Sequence, residues 1–76
     1  MSNFRDIMAS DRFVVGQFVV WTSKRGNEYS GQITRIREDK RNDITHKSPL
    51  VTVEIDAENG DYRNFYENEV DAYALV

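Results

Sequence analysis

Seven cations crowd the middle of this chain. Lys24, Arg25, Arg35, Arg37, Lys40, Arg41 and Lys47 fall between positions 21 and 50, against the acids Glu28, Glu38, Asp39 and Asp43. Trp21 and Tyr29 flank the first pair. Guanidinium and ammonium groups bind phosphates and carboxylates. Aromatic faces stack on bases and attract cations. From residue 51 onward the sign reverses, with Arg63 facing Glu54, Asp56, Glu58, Asp61, Glu67, Glu69 and Asp71. The net charge of −3 conceals this polarity. Such polarity can steer charged partners, and each half also reads as an ordinary solvated face.

Groups able to do covalent chemistry are sparse. The single histidine, His46, lies between Thr45 and Lys47 in a polar stretch. It has the setting of a solvated loop residue rather than a general base. The absence of cysteine excludes disulfides, thiolate metal sites and thiol catalysis. No serine has histidine and carboxylate partners at a diagnostic spacing. Asp56, Glu58, Asn59 and Asp61 gather oxygen ligands around Gly60, but not at EF-hand spacing. They read as a turn with solvated acids. Gly26 and Gly31 lack the frame of a phosphate-binding loop. A non-enzymatic protein with no cofactor and no metal is expected.

Contacts made by charge and aromatic faces need a scaffold to position them. Seventy-six residues allow one domain of modest stability. Residues 2–11 offer a short helix, capped by Ser2 or Asn3, with Phe4, Ile7 and Met8 on one side. That helix is too short to stand alone, so its apolar side must dock on the domain or on a partner. The division expected is a helical extension over residues 1–12 and a β domain over 13–76.

Residues 17–23 read as a strand in which Val19 and Trp21 share a face. Arg25, Gly26 and Asn27 make a polar turn, and residues 29–37 read as the return strand, bent or closely crossed at Gly31. Residues 38–49 read as a long polar connection. Residues 50–56 alternate cleanly, with Val51, Val53 and Ile55 on the core side. Asn59–Gly60 signals a hairpin into a strand over residues 62–66. One helical turn over residues 67–70 and a short strand within 71–76 complete the chain. Val19, Ile33, Val51, Val53, Ile55 and Val70 are the expected core.

VGQFVVW at residues 15–21, then Gly26, then GQITRI at 31–36, resembles the opening of SH3-like small barrels of the KOW and Tudor type. SPLVTVEI at 48–55 followed by FYENEV at 65–70 is similar to the way such barrels continue. The resemblance implies an all-β, SH3-like barrel of about five short antiparallel strands. It also implies one 3₁₀ turn before the last strand, with Val70 as the apolar plug. Non-enzymatic binding to RNA, DNA or protein tails is implied with it. Tudor-like members hold methylated lysine or arginine in aromatic cages, and Trp21, Tyr29, Tyr62, Phe65 and Tyr66 stand near strand ends.

The expected function is that of a small cytoplasmic module that docks on a larger protein or assembly, as an accessory or inhibitory factor of a nucleic-acid enzyme. In that role the acids of residues 51–76 could stand in for phosphates. The alternative is a KOW-like RNA- or DNA-binding domain using the basic hairpin and loop at 24–47. Trp21, Lys24, Arg25, Tyr29, Arg35, Arg37 and Arg41 are the expected contact residues. No membrane partner is expected, because the apolar runs Phe13–Val15 and Phe18–Trp21 are far shorter than the ~20 residues a span requires.

Overall fold

The computed structural model describes residues 4–41, 44–45, 48–70 and 73–75. Among these residues seven strands are formed: β1 (Phe4–Ile7), β2 (Phe18–Thr22), β3 (Glu28–Arg41), β4 (Ile44–Thr45), β5 (Leu50–Asp56), β6 (Asp61–Tyr66) and β7 (Tyr73–Leu75). A 3₁₀ turn, Glu67–Glu69, separates β6 from β7. The protein is all-β, and the pairings are antiparallel in the order β6-β5-β3-β2-β7. Among the described residues no helix is long and apolar enough to cross a membrane.

Strand β3 organises the sheet. Its 14 residues would run about 43 Å if straight. The molecule's longest principal extent is 33 Å. The strand bends where its register to β5 shifts between Ile33 and Arg35, a two-against-one bulge that raises local twist. Gly31 precedes the bend. A Cβ there would run into the Glu54 carbonyl oxygen of β5, so only glycine allows the close approach. β5 covers one side of β3 over residues 32–37. On the other side β2 pairs with residues 28–32 and β1 with residues 36–39.

The expected N-terminal helix is not formed; a strand takes its place. A helix so short has little stability of its own. The far half of β3 offers an unpaired edge, and β1 fills it with Phe4 opposite Asp39 and Ile7 opposite Ile36. Cross-strand partners reinforce the register: Asp6 pairs with Arg35, and Arg5 with Glu38. The long connection expected over residues 38–49 is also shorter, because β3 runs on to Arg41 and β4 folds back on it. His46 and Lys47 lie outside the described residues.

The expected closed barrel is likewise corrected. β6 and β7 each end the sheet, and they do not pair with one another. Among the described residues the sheet is strongly bent yet open. Phe13, Val19, Trp21, Ile33, Ile36, Val51, Val53, Phe65 and Val70 form the core. Val19, Ile33, Val51, Val53 and Val70 are where the sequence pattern puts them, whereas Ile55 is half-buried at the core's edge. Phe13 enters through a tight turn in which its N–H donates to Ser10 Oγ at 2.8 Å. Its ring meets Phe65 edge-on at 5.6 Å.

Candidate functional site

The alternation of β2 turns Trp21 inward beside Val19, and pairing with β3 sets Tyr29 directly opposite. The two ring centroids are 5.5 Å apart and tilted by 33°. β6 supplies Phe65 on the other side of the indole, 4.9 Å away. Two residues earlier on the same face, Arg63 lays its guanidinium 5.0 Å from the Tyr29 ring centre, within range for cation–π attraction. Trp21 is only 4% exposed. It is therefore a floor, and a nucleobase could not stack squarely on it.

The β2–β3 turn raises two cations over this floor. Ser23 N–H donates to Asn27 O at 2.8 Å, and Gly26 N–H donates to Ser23 O at 2.9 Å. The turn closes through Gly26 at φ +87°, a conformation that glycine adopts without steric cost. Lys24 and Arg25 are exposed on it. Across the opening the 3₁₀ turn brings Glu69, whose carboxylate is 3.6 Å from Lys24 Nζ. Arg12 pins that turn in place. Its backbone N–H donates to Glu67 Oε1 at 2.9 Å, and its guanidinium donates to the carbonyls of Val70, at 3.0 Å, and Glu67.

Together these elements enclose a cleft of about 480 Å³, lined also by Leu50, Asn64 and Tyr66. Its rim holds Lys24, Arg25 and Arg63 against one acid, Glu69. Arg25 has no ion-pair partner among the described residues.

Of the residues singled out from sequence, Trp21, Lys24, Arg25 and Tyr29 meet at this cleft; Arg35 and Arg37 do not line it, and the side chain of Arg41 lies outside the described part of the structure. Arg35 grips Asp6 through Nε, at 3.1 Å, and Nη2, at 2.9 Å. Arg37 lies 4.8 Å from the Phe4 ring centre, and its Nη2 reaches Thr52 Oγ1 at 3.4 Å. Arg41 closes β3 opposite Ile44. Lys40 pairs with Glu38 at 3.9 Å. Among the described side chains, Lys24 and Arg25 therefore stand at the cleft while Arg35 and Arg37 are engaged at the β1 end of β3.

Sequence reasoning missed Arg63 and Asn64 as site residues; it named Tyr66 only among the aromatic residues near strand ends and Glu69 only among the acids of residues 51–76. The available signal was the alternation of β6, which puts Arg63 on the face of Phe65. The acids around Gly60 are explained by the turn itself. Asp56 Oδ1 accepts from the backbone N–H groups of Glu58, at 3.1 Å, and Asn59, at 3.4 Å. Among the described residues no three potential ligand groups come together as a metal site.

No family model matches the chain, and no significant match was found among curated proteins or solved structures. Fold and site therefore define its class: an all-β protein built on an open, bent antiparallel sheet, with an aromatic-floored cleft between the β2–β3 turn and β6.

Proposed function

We propose that this protein is a non-enzymatic docking module that seats a segment of a partner protein in the cleft between the β2–β3 turn and β6. The SH3-like resemblance belongs to this reading as its family-level part. The observation that carries it is the composition of the cleft: a buried aromatic floor under a rim of mixed charge. Protein-binding sites combine aromatic and arginine anchors with a polar margin in this way.

The distribution of cations favours protein over nucleic acid. Binding to a phosphate backbone rests on several cations free to displace counterions. Here Arg5, Lys24, Arg35, Lys40 and Arg63 each sit within 4.0 Å of a carboxylate oxygen of the same chain. A nucleic acid would have to compete with those acids at each of these five cations.

Photocrosslinking tests the reading. A benzophenone amino acid at position 24, on the rim, should give one defined protein adduct in lysate of the native host at physiological salt. The same probe at position 59, in the β5–β6 turn, should give none. Adducts with RNA or DNA that vanish steeply with added salt would replace this reading with the KOW-like one.

A further inference from the structure

β6 is an edge strand, and its free side opens into the cleft. Pro49 O accepts from Glu67 N–H at 3.0 Å, so residue 67 belongs to a hydrogen-bonded pair with β5. In an antiparallel ladder such pairs alternate with pairs whose N–H and C=O groups point away. The register Leu50 to Tyr66, Val51 to Phe65, Thr52 to Asn64 and Val53 to Arg63 then directs Phe65 and Arg63 to β5. It leaves the backbone groups of Asn64 and Tyr62 facing outward. No described strand pairs with that side. Moreover, four consecutive residues, Arg63 to Tyr66, line the cleft. Side chains alternate between two faces, so four in a row bordering one cavity fits a wall to which the backbone itself contributes.

From this geometry we infer that the partner enters as an extended, acidic segment that adds to β6 as a further antiparallel strand. This inference rests on the cleft's being the docking site. Main-chain hydrogen bonds to Asn64 and Tyr62 hold the segment, and every second side chain of it turns toward the cleft. The charge there selects what those side chains are. Lys24 is paired with Glu69 and Arg63 with Asp61, while Arg25 has no ion-pair partner among the described residues. A glutamate or aspartate on the cleft side completes that set. A second copy of this chain fits less well. Two-fold pairing of β6 with itself keeps both clefts on one side and brings two cationic rims together.

Three capped hexapeptides test the inference by amide chemical shifts of the full chain: one alternating valine and glutamate, one alternating valine and lysine, and the glutamate peptide N-methylated at alternate amides. The glutamate peptide should shift the amides of Asn64, Tyr62 and Arg25 saturably. The lysine peptide should bind at least tenfold more weakly, and N-methylation of the bonding amides should abolish the response. Asn64→Pro removes an outward N–H at a position where an edge strand tolerates proline. It should lose the glutamate peptide while keeping native tryptophan emission. If N-methylation and Asn64→Pro leave binding at Trp21 and Tyr29 intact, strand addition is overturned and the docking cleft stands. If no amide responds to the glutamate peptide at millimolar concentration, the inference is overturned, and the crosslinking result decides separately on the cleft. Concentration-dependent dimerisation through Asn64 and Tyr62 in the absence of peptide would overturn it in favour of a second copy.

Discussion

The two ends of β3 use the same kinds of residue for different work. At the β1 end, Arg35 is bound by Asp6 at two points, Arg37 covers Phe4, and Glu38 lies near both Arg5 and Lys40. Those cations hold the first strand onto the sheet. At the cleft end, Lys24 and Arg25 stand on a tight turn above an aromatic floor, and Arg63 covers Tyr29. There the floor is already buried, Lys24 and Arg63 are paired with Glu69 and Asp61, and Arg25 has no ion-pair partner among the described residues. In the proposed docking role Arg25 is the cation left to meet a partner.

The contrast can be broken most severely from beneath. Phe65 supports the cleft floor and touches both Phe13 and Trp21. Phe65→Ala should cost about 3–5 kcal/mol, comparable to the whole stability of a small domain. Urea titration should show a chain largely unfolded in buffer, and a loss below about 1 kcal/mol would mean that the floor is not core. Arg12→Ala should come next. It removes the donor to the Val70 and Glu67 carbonyls and the ion pair to Glu67, a residue only 7% exposed whose carboxylate then keeps the backbone N–H of residue 12. Loss of about 2–3 kcal/mol is expected, and Arg12→Lys should recover little because lysine cannot reproduce the fork.

The β1 end should yield less. Arg35 and Asp6 are both more than half exposed, so their pair contributes about 0.5–1 kcal/mol after solvent screening. Asp6→Ala should speed amide exchange in β1 while leaving Trp21 and Phe65 protected. Equal acceleration at both ends would mean that β1 and the cleft open as one unit. Smallest of all, Arg25→Ala should change stability by no more than about 0.5 kcal/mol, since the residue is exposed and outside the ion-pair set.

What could be read from sequence divides along the same line. Strand β5 was legible to the residue because Val51, Val53 and Ile55 alternate with polar residues. The turn at Gly26 was legible because it depends on local backbone needs; Gly31 signalled a bend or close crossing, although the Glu54 carbonyl that requires it lies in β5. The first strand was not. Phe4, Ile7 and Met8 suit a helix as well as a strand, and the deciding factor is an unpaired edge about thirty residues away, which no local pattern reveals. The extent of β3 was hidden for a related reason, since its last residues are charged and gain their strand pairing from β1 and β4. Within the cleft, Trp21 and Tyr29 could be linked through their hairpin. Arg63 could not, because its place over Tyr29 comes from the β5–β6 register and the bend of β3.

The most direct measurement compares the two ends in one assay. With the benzophenone probe at position 24, adduct yield is measured in the Arg25→Ala and Arg35→Ala backgrounds, each verified as folded by its tryptophan emission. The account predicts that Arg25→Ala abolishes the adduct without loss of stability, whereas Arg35→Ala loosens β1 and leaves the adduct in place. An adduct that survives Arg25→Ala but disappears with Arg35→Ala would contradict it, and would move the binding surface to the β1 end of the sheet.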